Sequence, residues 1–162
     1  MRQNEVPKLL AAVAVAALGA KRDTAWAMSE VNIESVRDAV VAFNRGDLDT
    51  WLDEYWADEI DYRPVEGALD DRGPMHGKDA VRAYLQDWID TFESFKVEPL
   101  EVIDAGQGQV VAVLRISGRA KLSGVEADLT FAVVYTLSDE KIARGREYWT
   151  RDEALEAAGL SE

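Results

Sequence analysis

One carboxylate near the C-terminus has the sequence surroundings of an acid–base residue. Glu147 alternates with Gly145 and Trp149, so in a β-strand the three side-chain positions share one face. A carboxyl group buried against tryptophan has a raised pKa and can act as a general acid or base. The competing interpretation is a solvated glutamate or an ion pair with a neighbouring arginine, and the residues favour neither.

Three further polar residues are candidates for the same chemistry. Asp61 and Arg63 lie two positions apart, and Arg63 could hold an anionic or carbonyl group, although an ion pair within the nearby acidic loop is favoured. It stays open whether this pair or Tyr62 points inward, because a shift of one residue exchanges the two faces of a strand. His76 is the one histidine, and its position beside a predicted helix start favours a role in helix entry over catalysis.

The composition excludes several classes of site. The chain has 162 residues, a net charge of −13 and a pI near 4.5, which disfavours binding to nucleic acid or to anionic membranes. With no cysteine and one histidine, only carboxylates could bind a metal. No phosphate-binding loop or dinucleotide fingerprint is present. We therefore expect no cofactor and no metal.

The N-terminal segment is separate from the predicted domain. Leu9 to Ala20 is apolar but too short to span a bilayer. Residues 1–28 are either a non-native, disordered extension upstream of a start at Met28 or a signal-like segment with a small-residue cleavage site at Ala25 to Ala27. The first alternative predicts a cytoplasmic protein and the second an exported one. Residues 29–162 are expected to form one domain.

Helical periodicity predicts four helices. The first begins at the N-cap Asn32 and ends at Gly46, and the second begins at Asp47. The apolar residues of the second helix recur with helical spacing: Leu48, Trp51, Leu52, Tyr55 and Trp56. The third covers Lys78 to Phe92, after a loop from Glu66 to Gly77 that could lie over a pocket mouth. A capping box of Thr150 and Glu153 starts a short last helix that ends at Gly159.

Period-two alternation predicts an antiparallel sheet. The predicted strands are Ile60 to Val65, Phe95 to Ile103, Val110 to Ser117, Ala127 to Leu137 and Ile142 to Trp149. Pro99 suits an edge strand or a bulge because proline lacks a ladder donor. Leu129, Phe131 and Tyr135 share one apolar face of the fourth strand. The fold class is therefore α+β, with a curved antiparallel sheet covered by three N-terminal helices that enclose a pocket.

The order of elements and several motifs resemble the nuclear transport factor 2-like superfamily. Phe43 to Asp49 (FNRGDLD) resembles the turn between the first two helices of that superfamily, and Gly73 to Ala80 (GPMHGKDA) resembles the entry into its third helix. The closing strand and tail of its SnoaL-like bacterial members resemble three segments of this chain: Lys141-Ile142, Arg146 to Trp149, and the following Ala154 to Leu160. The resemblance covers Asn32 to Leu160 and implies a cone-shaped fold.

The resemblance also implies a ligand cavity inside the cone, with Glu147 facing it. Eight residues are expected to bind ligand there: Trp56, Tyr62, Tyr84, Trp88, Phe131, Val133, Tyr135 and Trp149. Ketosteroid isomerases of this superfamily need one tyrosine and two aspartates, but Ala39, Arg63 and Val133 occupy the matching positions here. That isomerase mechanism is therefore not expected.

Limonene epoxide hydrolases of the same fold use an aspartate, arginine, aspartate set, to which Arg115 and Asp128 bear a partial likeness. If Leu129 and Phe131 face the pocket, both charged side chains point away from it. We therefore expect an ion pair between strands on the convex face.

Two functions are compatible with these features. The first is a pocket protein that binds a small hydrophobic, oxygen-bearing substrate and catalyses cofactor-independent acid/base chemistry of the isomerase, cyclase, dehydratase or hydrolase type. The second is a non-catalytic ligand-binding or dimerisation module. A homodimer through the convex sheet face is also predicted, because Val111, Val113 and Val134 alternate there with charged residues.

Overall fold

The computed structural model describes residues 26–160, which fold as helices packed on one curved sheet. The elements in chain order are α1 (residues 26–43), α2 (Leu48–Tyr55), β1 (Trp56–Arg63), β2 (Met75–His76), α3 (Lys78–Thr91), β3 (Phe92–Gly106), β4 (Gln109–Ala120), β5 (Glu126–Ser138), β6 (Lys141–Tyr148) and α4 (Arg151–Ala157). The predicted α+β class, with three helices before the main sheet and a short helix at the end, is confirmed.

The sheet has the strand order β2-β1-β6-β5-β4-β3. Strands β3 to β6 are antiparallel neighbours, as the alternation predicts, whereas β1 joins β6 in parallel. β3 is an edge strand, and its register shifts between Pro99 and Glu101. Both roles proposed for the proline are therefore present.

Alternate residues of β5 pack in two different clusters. Val133, Tyr135 and Leu137 belong to the main core beneath the helices. Ala132 and Val134 face the other way and pack with Ala154 and Leu155 of α4. The short last helix therefore covers part of the convex face.

This arrangement bears on the predicted homodimer. Val111 and Val134 pack in the cluster beneath α4, and Val113 is also buried within the single chain. These apolar residues are not exposed for a partner, and the homodimer stays a prediction.

The turn between α1 and α2 is fixed by local polar contacts. Gly46 has a φ of +85°, which favours glycine, and the Asp47 side chain accepts a hydrogen bond from Thr50 N at 3.1 Å. Asn44 donates to Val97 O and accepts from Val97 N, both at 2.9 Å. The turn is thereby tied to β3, which places α1 and α2 over the concave face.

Several predicted boundaries are wrong. Trp56 has the extended φ and ψ of −112° and 146°, so it begins β1 rather than closing the apolar face of α2. Trp56 follows the apolar residues of α2 at helical spacing although it lies in a strand. The coincidence arises because β1 and α2 bury their side chains in the same core. β1 therefore starts four residues before the predicted Ile60, and α1 already includes residues 26–31.

Most of the predicted N-terminal extension, residues 1–25, lies outside the described residues; residues 26–28 are helical. Among residues 26–160, no helix is both long and apolar enough to cross a membrane.

Candidate active site

A cavity of about 130 Å³ lies between the concave sheet face and the helices. One buried water needs on the order of 10 to 15 Å³ by the same measure, so the cavity can hold a small organic molecule. Seven of the eight predicted ligand-binding residues line it: Trp56, Tyr62, Tyr84, Trp88, Phe131, Tyr135 and Trp149. Val133 does not line it, because its side chain is completely buried in the core beside the cavity.

Glu147 is in the cavity wall, held by two tyrosine hydroxyls. Tyr62 donates to Oε1 at 2.9 Å, and Tyr84 donates to Oε2 at 3.0 Å. The backbone N–H of Val65 also helps to stabilise the charged form of the carboxyl group. β1 supplies Tyr62, α3 supplies Tyr84 and β6 supplies the glutamate, so three separate elements fix the carboxyl group.

Burial raises the pKa of Glu147 from 4.5 to about 7. The hydrogen bonds from Tyr62 and Tyr84 oppose this shift because they stabilise the carboxylate, and the nearby negative charge of Asp70 adds to it. Burial likewise raises the pKa values of Tyr62, Tyr84 and Tyr135 above their usual range, so the phenols stay protonated. Near neutral pH, Glu147 is therefore the group in this cluster that can exchange a proton.

Asp70 joins this cluster from the loop after β1. The Tyr84 hydroxyl lies 2.9 Å from Asp70 Oδ2 as well as 3.0 Å from Glu147, and Trp88 Nε1 donates to the same Asp70 oxygen at 3.1 Å. A tyrosine hydroxyl has one proton, so it donates to only one of the two acids at a time. If Tyr84 donates to Asp70, a protonated Glu147 can donate to the Tyr84 oxygen. The Tyr84 hydroxyl then makes a hydrogen bond with both acids.

The loop that carries Asp70 covers the cavity, as predicted. Val65, Ala68 and Asp70 all line it. The neighbouring Asp71 accepts from Gly67 N and Gly73 N, both at 2.9 Å, and from Arg63 Nη2 at 3.1 Å. These hydrogen bonds lower the pKa of Asp71, mainly through the two backbone donors. Asp71 thus closes the loop on itself and leaves Asp70 facing inward.

Gly145 makes room for the Tyr62 ring. The two residues are paired across β1 and β6, and a Cβ at position 145 would lie 2.6 Å from one ring carbon of Tyr62. Any larger residue would clash with the ring, so the ring or the strand would have to move. The glycine is therefore required by the site, although its sequence context identifies it only as part of a strand.

The structure does not bring the other three candidates to Glu147. Tyr62 points into the cone, whereas Asp61 and Arg63 lie on the opposite face of β1. Asp61 contacts His76 Nδ1 on the paired strand β2, and Arg63 pairs with Asp71. With Arg144 and Arg146 they line a separate groove on the convex face. The expected ion pair of Arg63 with the acidic loop is present.

The predicted ion pair on the convex face is confirmed. Arg115 Nε and Nη2 lie 2.8 and 2.6 Å from the two carboxylate oxygens of Asp128, and both side chains are exposed. Leu114 and Leu129, their sequence neighbours, line the cavity on the other face. Arg115 and Asp128 are therefore structural surface residues.

Within residues 26–160, no three or more histidine or acidic side chains are grouped to hold a metal ion. Among the described residues that line the cavity there is no lysine, arginine or histidine, and the carboxyls come only from Asp70 and Glu147. What this arrangement can do is bind an apolar molecule and exchange a proton with it at Glu147.

The curved sheet with helices on its concave side and a central cavity is the nuclear transport factor 2-like, or ketosteroid isomerase-like, fold. The family model of the SnoaL-like domain matches residues 36–145, so the chain belongs to the SnoaL-like family. No protein with a curated function matches the chain in sequence.

Solved structures with the same fold include three of particular interest. Bal32a, from a soil-derived mobile gene cassette, is 24% identical with a TM-score of 0.67, and the match covers 80% of this chain and 97% of Bal32a. A Mesorhizobium loti protein described as a SnoaL-like polyketide cyclase candidate is 25% identical with a TM-score of 0.54 over 72% of this chain and 97% of that one. A Mycobacterium tuberculosis protein in complex with estradiol-17β-hemisuccinate is 20% identical with a TM-score of 0.56 over 79% and 95%.

Proposed function

We propose that this protein binds a small, hydrophobic, oxygen-bearing molecule in the cone and catalyses a cofactor-independent proton transfer on it. The reaction belongs to the isomerase, cyclase, dehydratase or hydrolase type, with Glu147 as the general acid or base. The observation that carries the proposal is a carboxyl group with a pKa of about 7 in the wall of an apolar cavity. A pKa near the working pH gives the best compromise between the fraction of the active form and its strength as a base.

The tyrosines have defined roles in this proposal. Tyr62 and Tyr84 orient the two carboxyl oxygens and stabilise the charge that appears when Glu147 releases its proton. Asp70 and Trp88 hold the Tyr84 hydroxyl from its other side. These four are positioning residues. Asp61, Arg63 and His76 have no role in the proton transfer, because they lie on the other face of the sheet.

Two of the structural relatives are compatible with this proposal. One is described in terms of polyketide cyclisation and another was crystallised with a steroid ester, so this fold accommodates apolar, oxygen-bearing molecules in other proteins. Their sequence identities of 25% and 20% do not transfer a substrate to this chain.

Proton exchange on a simple ketone tests the proposal. 1-Tetralone in D₂O exchanges the hydrogens next to its carbonyl when a base removes a proton to form the enolate and deuterium returns to the carbon. We expect wild-type protein to accelerate this exchange, with a rate that rises as pH increases through about 7, and the Glu147→Gln variant to lose the acceleration. Binding without acceleration would contradict the catalytic proposal.

A non-catalytic binding protein is the second candidate. It is favoured by one observation: both carboxyl oxygens of Glu147 already contact tyrosine hydroxyls of the protein itself. In that case Glu147 would only fix the shape of the cavity. Calorimetry with 1-tetralone would then detect binding of equal strength in wild-type protein and Glu147→Gln, and neither would exchange protons.

A further inference from the structure

Two polar groups of the cavity wall lack a hydrogen-bond partner within the described part of the chain. The Nε1–H of Trp56 is buried without an acceptor, and the whole residue is only 2% exposed. The hydroxyl of Tyr135 makes no hydrogen bond to any described residue, and Tyr135 is 7% exposed. A buried donor without an acceptor destabilises the folded state, so an unpaired group in a native protein calls for an explanation.

The two groups are neighbours. Trp56 and Tyr135 pack edge to face with ring centroids 6.3 Å apart, and both line the cavity. Tyr135 is paired with Gly145 on β6, two residues before Glu147 on the same strand face. The side chains of Trp56, Tyr135 and Glu147 therefore all belong to the wall of one cavity.

The other buried or half-buried tryptophans and tyrosines of the cavity wall already use their polar groups. Trp51 Nε1 donates to Ala39 O at 2.7 Å, and Trp88 Nε1 donates to Asp70 at 3.1 Å. The hydroxyls of Tyr62 and Tyr84 contact Glu147. Among the buried or half-buried tryptophans and tyrosines that line this wall within residues 26–160, only Trp56 and Tyr135 therefore have donors left for a ligand; Trp149, also in the wall, is 49% exposed.

We propose that Trp56 and Tyr135 form an acceptor subsite that binds the carbonyl oxygen of a neutral, otherwise apolar ligand. This deepens the proposed function and rests on it, because the ligand is the one that Glu147 acts on. The ligand must be neutral at this end, since the part of the cavity lining that residues 26–160 supply contains two carboxyls and no lysine, arginine or histidine. A carbonyl oxygen can accept from both donors at once, because it has two lone pairs.

A matched pair of ligands measures the subsite. 1-Tetralone and tetralin have the same bicyclic skeleton, but only the ketone has an acceptor oxygen. We expect the ratio of their affinities for wild-type protein to fall by about five- to tenfold in Tyr135→Phe and again in Trp56→Phe, as the loss of one hydrogen bond to ligand predicts. Trp51→Phe is the matched control. It also removes an indole from the cavity wall, but one whose N–H is used by Ala39, so it should change both affinities by the same factor.

A spectroscopic measurement on wild-type protein is independent of whether the variants fold. The Trp56 indole proton, assigned by its absence in Trp56→Phe or by its contacts to the Tyr135 ring, should move downfield in the NMR spectrum when 1-tetralone is added. Tetralin should not cause this shift.

The outcomes separate the two proposals. Equal affinity ratios in wild-type protein and both variants, or equal indole shifts with the two ligands, would overturn the subsite and leave the proposed function standing. An ordered water retained at Trp56 would give that same result. Binding of neither ligand would overturn the proposed function and the subsite with it. If the ratio of the affinities for 1-tetralone and tetralin falls in both variants but wild-type protein does not accelerate proton exchange, the result would support the subsite in a non-catalytic binding protein.

Discussion

The two faces of strands β1 and β6 place the same kinds of side chain in opposite surroundings. On the concave face, Glu147 is held by two phenol hydroxyls among aromatic rings. On the convex face, Asp61 contacts His76 and lies 3.9 Å from Arg144, with more than half of its side chain exposed. Both carboxyls have two side-chain partners, but only those of Glu147 are both uncharged hydroxyl groups.

In the proposed function, this difference decides which acid transfers protons. Cationic partners and water stabilise a carboxylate, whereas burial among neutral donors raises its pKa towards neutrality. The number of polar neighbours therefore does not identify the site, whereas the charge of those neighbours and the burial of the acid do.

The largest expected effect is on proton exchange. Replacing Glu147 with glutamine should reduce the catalysed exchange of 1-tetralone by at least about 100-fold, the usual contribution of a general base. The matched change on the other face, Asp61→Asn, should alter the rate by less than about twofold. Exchange rates measured by mass spectrometry compare the two variants. A large loss in Asp61→Asn would place the chemistry on the convex face instead.

The stability of the protein should depend on pH through Glu147. The pKa of this group is 4.5 in the unfolded reference and about 7 in the folded protein, so folding becomes less favourable as pH rises through this interval. Below pH 4.5 the group is protonated in both states and has no effect. Above about pH 7 the cost reaches its full value, of up to about 3 kcal/mol.

Glu147→Gln should remove this dependence, because a neutral amide resembles the protonated acid. Urea denaturation of both proteins at about pH 5 and about pH 8 measures the difference. We expect the variant to be the more stable of the two at the higher pH and to lose most of that advantage at the lower one. An equal difference at both values would mean that Glu147 titrates normally.

Gly145→Ala should disturb the concave face without changing any polar group. The new Cβ would lie 2.6 Å from the Tyr62 ring, a contact that must be relieved by moving the ring or the strand. Overpacking of this kind costs about 1 to 3 kcal/mol. Thermal unfolding measures the loss. In a Tyr62→Leu background the same glycine substitution should cost much less, and an equal cost in both backgrounds would contradict the proposed contact.

The sequence predicts the fold well because its signals are periodic. The alternation along β5 correctly separates Val133 and Tyr135 from Ala132 and Val134, and Gly46 and Asp47 mark the turn between the first helices. Over a few residues, the buried positions of a strand can match the spacing expected for a helix. The sequence therefore places Trp56 in the second helix, whereas it begins β1.

The site is predicted less completely. Glu147 and the aromatic wall follow from strand alternation and the family resemblance. Asp70 does not, because Asp70 and Asp71 are adjacent acids in one loop and only the folded backbone decides that Asp71 closes the loop while Asp70 reaches Tyr84. The orientation of β1 is also undecided by sequence, since polar and apolar residues occur at both of its alternating sets of positions.

The smallest expected effect concerns the convex ion pair. Asp128→Asn removes the partner of Arg115, but both side chains are exposed and water can replace the interaction. We expect no measurable change in the melting temperature and none in proton exchange. A clear loss of exchange would show that this face contributes to the site.

The most direct test of the account is the titration of the Glu147 carboxyl group. Carbon-13 NMR of protein labelled at glutamate side chains follows each carboxyl through the pH range, and the signal missing in Glu147→Gln assigns the residue. The account predicts a midpoint at about 7. A midpoint near the ordinary value of 4.5 would show that Glu147 is ionised throughout the physiological range, and the proposed proton transfer would then lose its basis.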